Sequence, residues 1–355
     1  MQEKEIRASN TGCPSCGAVM VYSPERQKLY CKSCQTCKDI VKEAISGKRA
    51  WNEKNKGVTS TKDWANKAKK LKCPNCGASI ELKKLEYSKS CPYCTSSLVG
   101  VLQDEEILDE PDGIIPFTFS FEEASSKYMA GIKKKFFAPR KFKKAPPVEN
   151  IKGVYMPSFS FDANTVSTYK GVLSEDDSYT DSSGRRRTRT SYKHISGTHT
   201  AKNIDVVVES SSAINQAQLN DILPFNMSQI VKFQQGFIMG YTVEQYESTV
   251  DQCKGVAKRI MEENIKRAIL SKYHYDRVKS FDMTTKYSEE KYLYYLLPIY
   301  KCDYLYKDKT YTTFMNGQTG KVGGGYPISK LKVTMFVLAI LAVIGGLIAM
   351  IMSLS

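Results

Sequence analysis

Eight cysteines near the N-terminus are spaced to bind metal. Cys13-Pro-Ser-Cys16-Gly is followed after fourteen residues by Cys31-Lys-Ser-Cys34, and Cys73-Pro-Asn-Cys76-Gly is followed after the same interval by Cys91-Pro-Tyr-Cys94. The second block repeats the first sixty residues later. Two residues between cysteines let one tight turn aim both sulfurs at a single ion. A glycine after the second cysteine takes the left-handed backbone that such a turn needs. Two knuckles joined by a hairpin make a closed tetrahedral set of four thiolates, which suits Zn2+. Two structural Zn2+ ions are expected, one on Cys13, Cys16, Cys31 and Cys34, the other on Cys73, Cys76, Cys91 and Cys94. Sulfur fills every position, so no coordination site is left for a reactive water. An iron–sulfur cluster would use the same thiolates, but two separate sites of equal spacing favour zinc. Cys37 extends the second knuckle as Cys34-x-x-Cys37 and could replace Cys34, although the matched spacing favours Cys34. Cys253 and Cys302 read as core thiols.

The elements that must position these cysteines are short strands. Residues 18–22 and 79–82 are strand-like stretches between knuckles, as a zinc ribbon requires. The first ribbon is placed at 1–37 and the second at 73–100. Between them, 38–72 is a lysine-rich, helix-compatible linker carrying Trp51 and Trp64. An acidic linker at 101–113 leads to a body at 114–327. In that body a helix is expected over 121–136 behind the N-cap Ser120, with acidic residues in its first turn and lysines in its last. A second helix is expected from about Thr242, as its cap, to Lys272. Strands are expected at 153–161, 204–208, 292–306 and 310–315. The fold class is therefore α+β with antiparallel sheets. Met156-Pro-Ser-Phe-Ser-Phe-Asp162 echoes Leu297-Pro-Ile-Tyr-Lys-Cys-Asp303 at a spacing of 141 residues, which suggests two duplicated halves. The polar stretch 174–200, with Arg185 to Arg189 opposite acidic residues, reads as a long, mobile hairpin loop.

From Val333 to Met352 the chain runs twenty residues without a charge. At about 1.5 Å per residue this spans the roughly 30 Å of a hydrocarbon core, so a transmembrane helix is expected at 333–353. Lys330 and Lys332 precede the span, and the positive-inside rule leaves the N-terminal bulk in the cytosol. Residues 1–10 have no apolar h-region, so no signal peptide is expected. A cytosolic face also keeps thiols reduced, which argues against disulfides. The protein would then sit in the cell membrane with a single span.

The net charge of +15 favours an anionic partner. The run from Lys133 to Lys144 interleaves basic and aromatic residues, as nucleic-acid grooves do, but reads more simply as a helix C-terminus with a solvated loop, and acidic lipid is a third candidate partner. Asn316-Gly-Gln-Thr-Gly-Lys321 is not a phosphate-binding loop. Two residues rather than four separate its glycines, and Val322 follows the lysine where Ser or Thr is needed. Asn316-Gly317 fits a hairpin turn instead. The three histidines, His194, His199 and His274, enter no catalytic set. No enzymatic activity is expected.

Taken together, the paired ribbons, Ile222-Leu-Pro-Phe225 with the run from Phe233 to Glu244, the strand from Tyr155 to Ala163, and Asn316 to Lys321 before the span carry a resemblance. The chain resembles the bacterial membrane-anchored double zinc-ribbon proteins, labelled transcription-factor-IIB-type or primosomal PriA-helicase-like. The missing ATPase motifs argue against the helicase label. Some members accompany phage-shock protein A and SPFH-domain, flotillin-like, proteins. The resemblance thus implies a membrane-anchored adaptor that recruits protein partners to the cytosolic face, in membrane-stress or SPFH systems. A membrane-tethered nucleic-acid binder is the second choice. The family often carries Trp where this chain has Phe159 or Phe161, which leaves the subgroup and its partner open.

Overall fold

The computed structural model describes residues 12–51, 111–144, 151–211, 213–244, 246–307 and 309–354, with the backbone of four strands between 69 and 99. The second cysteine set (Cys73, Cys76, Cys91, Cys94), Trp64 and most of the acidic linker lie outside the described residues. The architecture is α+β with largely antiparallel pairing. In chain order, the ribbon strands are β1 (Met20–Ser23), β2 (Lys28–Cys31) and β3 (Cys37–Lys38). They are followed by β4 (Arg49–Ala50), β5 (Lys69–Lys72), β6 (Ser79–Leu82), β7 (Glu86–Ser90), β8 (Ser97–Val99) and β9 (Gly113–Ile114). Helices α1 (Phe121–Lys133) and α2 (Arg140–Lys144) lead to the long strands β10 (Ile151–Thr180) and β11 (Arg186–Glu209). Then come α3 (Gln216–Ile222), β12 (Val231–Lys232), α4 (Gln235–Ile238), β13 (Thr242–Glu244) and α5 (Val250–Leu270). The chain continues through β14 (Arg277–Tyr306), β15 (Lys309–Asn316), β16 (Val322–Gly324) and α6 (Lys330–Leu354).

The spine is the antiparallel pair β10–β14. Residues 292–300 of β14 are an unbroken buried run, as expected where both faces of a sheet are covered. On one face Tyr155, Leu296 and Tyr300 pack beneath α1 through its Ala124, Tyr128 and Ile132. On the other, Val154, Met156, Leu297 and Ile299 pack against Leu219 and Ile222 of α3. Toward the far end, burial in β14 alternates residue by residue, and α5 covers one face through Ile265, Ile269 and Leu270. The three strands kink together at Asp162. Its partners slip register on both sides, and Asp205 and Glu289 take left-handed φ angles of 55° and 51°. Lys48 is clamped there, 2.6 Å from carboxylate oxygens of both Asp162 and Asp205.

The two proline-bearing segments that echo at 141 residues lie side by side, with Met156 opposite Leu297. Each meets strands of equivalent kind at equivalent positions. Val154 and Tyr155 take β13 in parallel, as Tyr295 and Leu296 take β9. From Ser158, β10 takes β11 antiparallel, as β14 takes β15 from Ile299. Both short strands lead to a helix closed by a capping box, Ser120 with Glu123 and Thr249 with Gln252.

Four sequence expectations need correction. The stretch 174–200 is not a mobile loop: β10 runs to Thr180 and β11 resumes at Arg186, joined by a tight turn. Thr and Tyr supply β propensity, and Arg187 reaches Asp181 Oδ2 at 2.6 Å across the turn. The second helix starts at Thr249, not Thr242. Thr242 is captured by the edge of β10, and Thr249 has the glutamine three residues on that completes a cap. Helix α1 ends at Lys133, short of Phe136. The described part of the lysine-rich stretch is extended rather than helical; Ile40, Ile45 and Trp51 pack on the body, and Arg49 and Ala50 pair with β14. Cys253 and Cys302 are buried.

Helix α6 is long and apolar enough to cross a membrane, with a mean hydropathy of 2.0 over 330–347 and none of that window buried. The Asn316 turn between β15 and β16 is a hairpin, as expected, with the Asn316 side chain tied to the Ile222 and Pro224 carbonyls at 3.0 and 3.1 Å.

If Thr249 is the cap, Thr249→Ala should destabilise the protein by about 1 kcal/mol. Thr242→Ala should cost less than half of that. Thermal unfolding of the full chain in detergent distinguishes the two, and equal losses would place the helix start wrongly.

Candidate metal centre

The first four cysteines converge. Cys13, Cys16, Cys31 and Cys34 bring their sulfurs within 4.8 Å of one another. Cys13 and Cys34 Sγ are 3.4 Å apart, and Cys16 and Cys31 Sγ 3.6 Å. Four sulfurs about 2.3 Å from a tetrahedral ion would be roughly 3.8 Å apart, so the set fits a thiophilic cation. Cys13 and Cys31 are buried, whereas Cys16 and Cys34 face solvent.

The two knuckles have the same local build. Cys13 N donates to Ala18 O at 2.7 Å and Gly17 N to Cys13 O at 2.9 Å. Cys31 N donates to Thr36 O at 2.9 Å and Gln35 N to Cys31 O at 2.8 Å. Both turns need a left-handed residue after the second cysteine: Gly17 has φ 73° and Gln35 has φ 65°. Glycine accepts this freely, while glutamine bears some strain that the surrounding turn must hold. Cys37 does not join the set. It lies in β3 opposite Tyr30, exposed, with Arg26 Nη1 3.6 Å from its sulfur.

Charge is uneven across the thiols. Thr36, with Oγ1 3.1 Å from Cys34 Sγ and its amide beside it, holds the Cys34 thiol down at about 6. Cys16 feels the lowering pull of the Ala18 amide, but the sulfurs of Cys34 and Cys31 outweigh it and push the thiol up to about 12. The Cys16 thiol thus holds its proton more firmly than a free thiol does. A cation must displace such protons to bind, so acid opposes binding.

The second set lies outside the described residues, but the strands around it repeat the pattern. In the first ribbon Gly12 pairs with Val19 and Tyr30 with Cys37. Sixty residues on, Lys72 pairs with Ser79 and Ser90 with Ser97. Strand β7 then joins the central sheet through β13, with Ser88 opposite Val243.

Sequence reasoning missed how the first ribbon is seated. Tyr22 is 3% exposed and inserts into the core of the body. Its ring meets Phe237 edge-on at 5.5 Å and Tyr241 at 6.4 Å, and its amide donates to Met239 O at 2.9 Å. Met239 packs the other way, with Met20, Leu29, Cys13 and Cys31. Phe117 stacks on Tyr241 at 4.3 Å beneath this joint. Gly153 must lack a side chain here, since a Cβ would lie 2.5 Å from the Tyr241 ring. The available signal was an excess of apolar side chains in the ribbon (Met20, Tyr22, Leu29), more than so small a unit can cover.

Two outcomes are expected from the metal. Cys34→Ser should lose bound metal by elemental analysis while Cys37→Ser keeps it; the reverse would reassign the ligand. Competition with a chelator should show the affinity falling steeply as pH drops from about 8 to 6, since protons return to the thiols. A flat profile would exclude a thiolate site.

No family model matches the chain, and no solved structure matches it. The chain is similar to YdjG of Bacillus subtilis (strain 168), an uncharacterized protein, with 26% identity over 325 residues that cover 90% of this chain and 91% of YdjG.

Proposed function

We propose that the protein is a membrane-anchored zinc-ribbon adaptor that recruits protein partners to the cytosolic face of the cell membrane. The observation that carries this reading is a four-cysteine cluster wedged into a body from which an uncovered apolar helix emerges. A helix of this hydropathy with none of its residues 330–347 buried is best accommodated by lipid around it. Lysines at its start, and the basic run against that start, favour the cytosolic side for the body.

Zinc is the inferred ion, because four thiolates leave no vacant position and suit a metal without redox demands. We assign a second zinc to Cys73, Cys76, Cys91 and Cys94, supported by the equal spacing and by strand registers that recur sixty residues on. The repeated partners of β10 and β14 support descent of the body from a duplicated strand–helix–strand–strand unit. The family resemblance points to phage-shock protein A or SPFH-domain proteins as partners, with the ribbons as rigid docking modules.

Co-purification from detergent-solubilised membranes tests this. A stoichiometric protein partner, lost when Cys13 and Cys31 are replaced by serine in a chain that stays in the membrane, is expected. An unchanged partner recovery from the metal-free variant would rule out docking through the first ribbon.

A further inference from the structure

We infer that the segment from Lys133 to Lys144, with Lys330, forms a lipid-facing patch that binds anionic headgroups of the leaflet in which α6 begins. This inference rests on α6 crossing the membrane. Between 133 and 144 there are seven lysines and arginines and no acidic residue. Lys133, Lys134, Arg140, Lys141, Lys144 and Lys330 are exposed, so their charges are available to a partner.

The structure fixes where this run stands. Ser329 N donates to Phe137 O at 2.9 Å, just before α6. Lys332 Nζ, in the first turn, donates to Phe136 O at 3.0 Å and Ala138 O at 2.7 Å. One turn on, the Phe336 ring meets Phe137 at 5.4 Å and Phe136 at 6.0 Å. On its other side the segment is held by Phe142, buried against Tyr304 at 4.9 Å. The basic run is therefore clamped to the first two turns of the apolar helix. A turn rises only about 5.4 Å, so the lysines lie within one or two turns of the hydrocarbon boundary, at headgroup depth.

The apolar residues beside the charges agree. Phe136 is 62% exposed, Ile328 62% and Leu331 70%. In water these would be a costly cluster; at an interface they enter the acyl region while neighbouring lysines reach up to phosphates. A nucleic acid at the same place would have to lie in the headgroup plane, against a surface of like charge. Lipid is the occupant that uses both the charges and the rings.

The test is amide exchange of the full chain in lipid nanodiscs. Discs of phosphatidylcholine are compared with discs in which about a third of the lipid is phosphatidylglycerol. Exchange over 133–144 should slow roughly fivefold or more in the anionic discs, and the difference should vanish in high salt. It should also vanish when Lys133→Gln, Lys134→Gln, Arg140→Gln and Lys141→Gln are combined, with protection in α5 unchanged to confirm the fold. Equal exchange in both discs, or a difference that survives the four substitutions, would overturn the patch. So would equal slowing by a short single-stranded DNA in phosphatidylcholine discs. Fast exchange over 333–347 in both discs would instead remove the membrane span itself, and the inference with it.

Discussion

The tie between ribbon and body runs through Tyr22 and Met239, which exchange places across one joint. Tyr22 leaves the ribbon to pack with Phe237 and Tyr241, while Met239 leaves the body to complete the ribbon's small core. A unit this size cannot bury enough apolar surface to hold itself, and ligation of a metal by its four cysteines would supply what burial does not. The four sulfurs fix the hairpin that presents Tyr22, and the aromatic stack of Phe117, Tyr155 and Tyr241 then has its lid. The ribbon is therefore not a bead on a string. Its four-cysteine cluster and the core of the body are coupled through one ring.

Beneath the joint, the β10–β14 pair organises everything else. Its middle is buried on both faces and so carries helices on both, α1 and α3. Its far half is covered on one face by α5, beyond a kink whose left-handed residues and opposed carboxylates are held by Lys48. That lysine comes from the segment that follows the first ribbon, so the same stretch both leads out of that ribbon and pins the bend in the sheet. The base of the sheet, through Tyr304 and Phe142, supports the segment on which α6 is seated.

Much of this was legible in the sequence where one local rule decides. Cysteine spacing gave the first metal set, because a knuckle is specified by four or five consecutive residues. The run from Val333 onward gave the apolar helix, and Ser120 ahead of acidic first-turn residues gave a helix start. The misreadings fell where distant pairing overrides local cues. Thr242 is as good a cap as Thr249 until β10 claims it as an edge partner. The polar residues 174–200 look like a loop until β10 and β11 pair through them on either side of the turn at 181–185. The seating of Tyr22 depends on residues more than two hundred positions away, which no window along the chain can reveal. The 141-residue echo was visible as six or seven residues. That its two copies would lie opposite each other was not.

The proposed adaptor depends on thiolate-bound metal at one end of the chain and a lipid-embedded helix at the other. The most direct measurement is zinc analysis of the protein extracted from sedimented membranes and purified without added metal. Two zinc ions per chain, recovered from the membrane fraction, are expected. Protein that carries no zinc, or that stays in the supernatant when membranes are spun down, would contradict it.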